Sequence, residues 1–180
     1  MLSTALKYGA ASGLIVIAVI IAGMLYAGGP GGGHASSSMW FGYLVMIVAL
    51  SMIFLAIREH RNKALGGVIK FLPALGLGVL VAAIAGVVYV AAWETFLATT
   101  NYPFMETYVA TMVEAKREAG VSGAELDAFV AEMEGMKQAY ANPLFRLPMT
   151  FIEIFPVGLL IALISAAILR NPRVLPARAR

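Results

Sequence analysis

Three ionisable side chains bordering long apolar runs are the residues whose types and spacing could do chemistry: Glu94, Arg146 and Glu153. Glu153 lies inside a run from Leu147 to Leu169, and a charge at the centre of a membrane helix costs at least about 2.5–3.5 kcal/mol. It must therefore face protein, pair with a cation or take up a proton. Glu94 closes the run Phe71 to Trp93 on the same side, so both acids fall in the same half of the apolar layer. Arg146 and Glu153, seven positions apart, share a helix face if the helix begins early enough. Two readings follow. Arg146 can pair with Glu153 or with Glu94 and tie the last apolar run to the one before it, or Glu94 and Glu153 together can make a proton or cation site. The structural pair is favoured, because no continuous polar stripe crosses the opposite half of any apolar run.

Other chemistries lack their residues. The chain has no cysteine, which removes disulfides, thiolate metal sites, thiol catalysis and palmitoyl anchors. His34 and His60 have no second ligand in register, so no metal is expected. Met105, Met112, Met133 and Met136 follow ordinary helical spacing and carry little weight as a thioether copper site. Gly66 and Gly67 follow no strand and lack the Gly-Lys-Ser/Thr ending of a phosphate loop. No catalytic residue set and no cofactor motif is present. The net charge of +3 comes from basic residues flanking apolar runs, a distribution that sets membrane topology and does not build a nucleic-acid face.

The elements positioning these residues are apolar and long. No charged side chain occurs between Lys7 and Arg58, and 61% of the 180 residues are hydrophobic against 13% charged, well below the ~25% charged content of soluble domains. Runs at about 8–27, 39–57, 71–93 and 147–169 each approach the ~20 residues that cross a hydrocarbon core. The first exceeds the ~7–15 apolar residues of a signal peptide and reads as a span. In lipid each segment must satisfy its own backbone, so all four are helices. The expected fold is all-α: a single membrane domain over 1–180, an integral four-helix bundle with an extracytoplasmic helical hairpin between spans three and four.

Charge sets the direction. Arg58, Arg61, Lys63 and Lys70 follow span two, and Arg170, Arg173, Arg178 and Arg180 follow span four; with Lys7 they place both termini in the cytoplasm. The segment 101–146 holds four basic and seven acidic residues, a net −3, and belongs outside with the glycine-rich stretch 28–38. Trp40, Tyr43, Trp93, Tyr102 and Phe104 then fall near the outer boundary, where amphipathic rings prefer to sit. Arg58, Arg61, Lys63 and Lys70 are candidate contacts for anionic lipid headgroups, each worth about 1 kcal/mol near the surface.

Within 101–146, Met105, Tyr108, Val109, Met112 and Val113 recur at helical spacing, as do Leu126, Phe129, Val130, Met133 and Tyr140. This predicts helices over about 105–119 and 123–140, with a turn at 120–122 and a capping box from Ser122 and Glu125. Their apolar stripes are expected to pack on each other and on the span ends, the alternative being a groove for a protein partner. Pro148 suits the first turn of span four, and Pro156 should bend its interior. Gly9 and Gly13 in span one, and Gly76, Gly78, Ala82, Ala83 and Gly86 in span three, allow close helix approach.

The runs Ala5-Leu6-Lys7-Tyr8-Gly9, Ile57-Arg58-Glu59-His60-Arg61-Asn62-Lys63 with Gly66-Gly67-Val68-Ile69-Lys70-Phe71, and Glu153-Ile154-Phe155-Pro156-Val157-Gly158 carry a resemblance. Over nearly its whole length the chain resembles the bacterial membrane-protein family called domain of unknown function 4199 (DUF4199). The resemblance implies a small multi-span protein of the bacterial inner membrane and assigns no residue a role. With no chemistry-bearing cluster, a non-enzymatic accessory or interaction protein is expected, in contact with membrane lipids and with a protein partner through the outer hairpin. The alternative is a small proton- or cation-coupled transporter or channel using Glu94 and Glu153.

Overall fold

The computed structural model describes residues 1–26, 39–101 and 103–176. The glycine-rich stretch with His34, the boundary residue Tyr102 and the tail arginines Arg178 and Arg180 lie outside the described residues. Seven helices make up the described chain: α1 (Leu2–Tyr26), α2 (Met39–Leu50), α3 (Met52–Ala64), α4 (Phe71–Thr99), α5 (Phe104–Glu118), α6 (Ala124–Ala141) and α7 (Pro143–Leu169). There is no strand among the described residues. Four segments are long and apolar enough to cross a membrane: Leu2–Tyr26, Trp40–Ala64, Phe71–Thr99 and Pro143–Leu169.

The second of these carries a local break. Ser51 separates α2 from α3, and its hydroxyl donates to Val48 O at 2.6 Å. Side-chain bonding to the preceding turn competes with the helical ladder. α3 then runs on to Ala64, so Arg58, Glu59, Arg61 and Lys63 stand on a helix that continues past the end of the apolar run at Ile57. The chain reverses just afterwards, where Gly66 and Gly67 adopt φ of 63° and 93° and the Gly67 N–H donates to Arg61 O at 2.9 Å. Only glycine takes two such angles in succession without strain.

α4 is the central helix, packed along α1 on one side and α7 on the other, with α3 touching all three. Small residues make this possible. A Cβ added at Gly13 would lie 2.5 Å from Ala85 O, and one at Gly9 would lie 2.8 Å from Ile84 Cβ. Gly78 meets Ala162, and Gly158 meets Ala82, each at 2.7 Å from a hypothetical Cβ. Without a hydrophobic drive between helices in lipid, such close approach and the dispersion it brings are the main source of association. Val16, Leu50, Ile53, Ile57, Leu77, Val81, Ile154 and Leu169 fill the remaining core, fully buried or nearly so. Gly76 differs from its neighbours, with nothing within 4 Å of its would-be Cβ. Gly13→Ala should therefore lower the melting temperature in mild detergent, by overpacking worth about 1–3 kcal/mol, while Gly76→Ala leaves it level or raises it. Equal melting for the two variants would show that α1 does not depend on the contact.

The outward surface of the long helices is apolar. Leu14, Val48, Leu72, Val87, Ile152 and Leu160 are each more than half exposed. Distributed over four helices, they form the kind of contiguous apolar exterior that soluble monomers do not present.

α5 and α6 touch one another, joined by a tight turn. α5 ends in a Schellman motif: the Val121 N–H donates to Lys116 O at 3.1 Å and the Gly120 N–H to Arg117 O at 2.9 Å, with Gly120 at φ 84°. This is the geometry that glycine at the position after a helix end permits. The start of α6 departs from the sequence expectation. Gly123, at φ 63°, occupies the cap position with no side-chain bond, and Ser122 is exposed, so the Ser122–Glu125 capping box does not form. Gly123 fits the unusual backbone angle that the turn imposes, which a Ser at that place would resist. Of the two apolar stripes, Met105 and Met133 are buried, whereas Tyr108, Val109, Met112, Leu126 and Phe129 are half-buried.

Candidate functional site

α7 begins four residues earlier than the apolar run, and that shift builds the site. Asn142 caps the helix, its side chain accepting from Leu144 N at 3.0 Å, and Pro143 takes the first-turn position that Pro148 was expected to fill. The helix continues through Pro148 and Pro156. Arg146 thus projects from the first turns of α7 toward the end of α4, which itself runs six residues past Trp93.

There it meets Glu94 as a fork. Arg146 Nε donates to Glu94 Oε1 at 2.6 Å and Nη2 to Glu94 Oε2 at 2.7 Å, while Nη1 donates to Tyr140 O at 3.0 Å. Paired planar geometry of this kind is the strong form of the Arg–carboxylate contact. The Arg146 side chain is 6% exposed and that of Glu94 25%, so the cation is the more deeply buried partner. Its guanidinium also lies 5.6 Å from the Tyr140 ring centroid. Three elements meet at this point: α4 through Glu94, α6 through Tyr140 and α7 through Arg146. Trp93 adds a fourth contact, its Nε1 donating to the Tyr140 hydroxyl at 2.7 Å. Burial pushes the Tyr140 phenol up from its ordinary pKa. Phe104 packs edge-on to Trp93 at 4.9 Å and beside Tyr140 at 6.2 Å, closing an aromatic cluster over the ion pair.

Glu153 stands apart from that pair. Its Oε2 accepts from the Tyr89 hydroxyl at 3.3 Å, and no ion pair involves it among the described residues. It borders a cavity of about 310 Å³ that Tyr89, Trp93, Phe104, Met105 and Tyr140 also line. A smaller one of about 200 Å³, against Gly42, Tyr43 and Met46 of α2, also has Glu153 in its lining. Beyond Met105 and Tyr140 lies a third cavity of about 470 Å³, bordered by Arg146, Glu106 and Lys137. Of the three residues singled out from sequence, the structure joins Glu94 to Arg146 and leaves Glu153 with Tyr89.

At the opposite end of the spans lies a second polar cluster, and it takes Arg61 out of the expected row of headgroup-facing cations. Arg61 has no exposed surface at all. Its guanidinium donates to Leu169 O at 3.3 Å, Val174 O at 3.0 Å and Leu175 O at 2.5 Å, and Nε donates to Asn62 Oδ1 at 2.9 Å. Buried in this way it is withdrawn from headgroups: Leu169 O, a carbonyl that α7 leaves unsatisfied at its C-terminus, and Val174 O and Leu175 O of the residues after the helix take up its donors. Arg58 is half-buried, and Lys63 and Lys70 are exposed, Lys63 pairing with Glu59 one turn away at 3.0 Å. Glu59 also accepts from the Tyr8 hydroxyl, fixing α1 to α3.

Tyr89, Tyr140 and Trp93 join these clusters without having been expected there, and Thr150 lines the Glu153 cavity beside them, its hydroxyl donating to Arg146 O at 2.9 Å. Trp93, expected as a boundary ring, is only 5% exposed and walls the cavity, whereas Trp40 at 82% exposed has the exposure of a boundary residue. The available signal was the spacing of Tyr89 and Trp93, four apart and hence on one face of α4. Among the described residues no group of three or more His, Cys, Asp or Glu could hold a metal.

Compared with known proteins, residues 7–171 match a family described as protein of unknown function, DUF4199. No curated protein and no solved structure matches.

Proposed function

The chain belongs to the DUF4199 family, and from that premise we propose that it is a non-enzymatic accessory or interaction protein of the bacterial inner membrane, with both termini cytoplasmic and α5–α6 outside. One observation carries the reading: the ionisable side chains brought together at the α6 end, Glu94 and Arg146, are consumed in fastening α6 to α4 and α7. What this mount presents is a net acidic surface, with Glu106, Glu118, Glu125, Asp127 and Glu132 exposed beside Lys116 and Arg117, the latter paired with Glu114. A partner with a basic face matches that charge. A photo-crosslinking residue at Glu125 or Glu132, used in native membranes, should trap a discrete adduct that disappears when Glu118 and Asp127 are changed to Lys. Reporter fusions after Gly120 should read outside and those after Lys63 inside. An adduct insensitive to charge reversal, or the opposite topology, overturns the reading.

The second reading, a small proton- or cation-coupled transporter or channel, draws support from the cavity at Glu153. Glu94, committed to Arg146, is a poor second carrier, so this reading rests on Glu153 alone. In liposomes, Glu153→Gln should then abolish proton or cation flux while the melting temperature holds. A parent protein that conducts nothing removes transport from consideration.

A further inference from the structure

The cavity beside Glu153 combines features that select one class of ligand. Five aromatic residues line it, Tyr89, Trp93, Phe104, Tyr108 and Tyr140, and four methionines, Met24, Met105, Met136 and Met149, supply adaptable apolar surface. Glu153 is the one charged residue among those described in the lining, with no Lys, Arg or His. The nearby cation cannot be diverted to it cheaply, because Arg146 is forked onto Glu94 and bonded to Tyr140 O.

Several ligand classes fail on these walls. An anion would face the carboxyl of Glu153 with no counter-charge. A hard divalent cation wants about six to eight oxygen ligands, and no group of three potential metal ligands exists among the described residues. A wholly neutral apolar molecule would fill the aromatic space but leave the carboxyl with Tyr89 as its sole described partner. A large, weakly hydrated monocation satisfies both parts of the site. Its charge pairs with the carboxyl, and its alkyl groups rest on aromatic rings, which attract cations through their negative faces. A volume of about 310 Å³ lies at the small end of the ~300–1,000 Å³ range of ligand pockets.

We propose that this cavity, walled by the aromatic cluster of α4, α5 and α6 and closed by Glu153 of α7, binds a hydrophobic ammonium group, carried either by a soluble amine or by an amine-headed lipid. A second, smaller cavity at Gly42 and Tyr43 of α2 shares Glu153 with this one. This goes beyond the accessory reading and does not depend on the partner.

The test uses benzyltrimethylammonium as probe and neopentylbenzene, which replaces the charged nitrogen by carbon, as its neutral isostere. Trp93 lines the cavity and the chain has one other tryptophan, Trp40, so in a Trp40→Phe background the fluorescence reports the site directly. With the protein in phosphatidylglycerol nanodiscs, the ammonium should change Trp93 emission saturably, and the isostere should bind about tenfold or more weakly. Glu153→Gln should weaken the ammonium by a similar factor. Repetition in discs containing phosphatidylcholine, whose quaternary ammonium carries such alkyl groups, separates the sources. A reduced probe affinity there identifies the lipid ammonium as occupant, and an unchanged one identifies a soluble cation. Equal binding of the isostere, full affinity in Glu153→Gln or no change in Trp93 emission with the ammonium overturns the proposal; the isostere comparison stands even if that variant does not fold.

Discussion

Changing Glu94 to Gln should cost about 3–5 kcal/mol of stability, more than changing Arg146 to Met. The ordering follows from burial. With Glu94 neutralised, a guanidinium that is 6% exposed keeps its charge and loses its counter-charge, and arginine cannot shed a proton to escape. With Arg146 removed, the carboxylate left behind is 25% exposed and still reaches water. Combining Glu94→Leu with Arg146→Met should recover most of the loss, since a buried ion pair exchanged for apolar side chains is often neutral. Melting temperatures of the two single variants and the double in one detergent would check all three. If Arg146→Met proves the worse of the singles, charge burial is not what governs this contact.

An effect of similar size is expected at the other end. Arg61→Met removes donors from Leu169 O, Val174 O and Leu175 O at once, and hydrogen bonds from a charged group are worth about 1.5–3 kcal/mol each before repacking. The helix end and the residues after it should come loose together. Limited proteolysis should cut within 170–176 far faster in the variant than in the parent, with a clear drop in melting temperature. Arg61→Lys should recover little, because one ammonium on a flexible stem cannot fork to three carbonyls. Unaltered cleavage of the tail in Arg61→Met would show the contacts to be incidental.

The four long helices were legible because the signal for them is redundant: length, absence of charge and flanking basic residues all mark the same segments. Their ends were not. α4 and α7 each extend beyond the apolar run, since Thr95 and Phe96 on one and Pro143 to Arg146 on the other are polar or mixed yet held in helix by Asn142 capping and the Arg146–Glu94 fork. The small-residue stripe of Gly9 and Gly13 does meet α4 as its spacing implied, but Gly76 of the same stripe type meets nothing, because spacing names a face without naming what lies opposite. Arg61 was misread for a related reason. A cation beside a membrane run ordinarily serves topology, and nothing local to Arg61 reveals that its partners lie more than a hundred residues further along. Glu94 and Arg146 could be paired from sequence as one of two options; choosing between Glu94 and Glu153 required the three-dimensional register of α7 against α4.

That long separation has a consequence for how the chain comes to be made. The carbonyls that hold Arg61 are 108 to 114 positions later in the chain, and synthesis runs at roughly 5–20 residues per second, so the first three apolar segments must wait some seconds for the fourth. Throughout that interval the three carbonyls are absent, and of its partners among the described residues only the adjacent Asn62 is already in place. Arg61 is thus a latch that closes only when the last helix and the residues after it have arrived. A nascent protein stalled before Leu169 would keep that arginine exposed, an unfinished state distinguishable from the finished one by a single side chain.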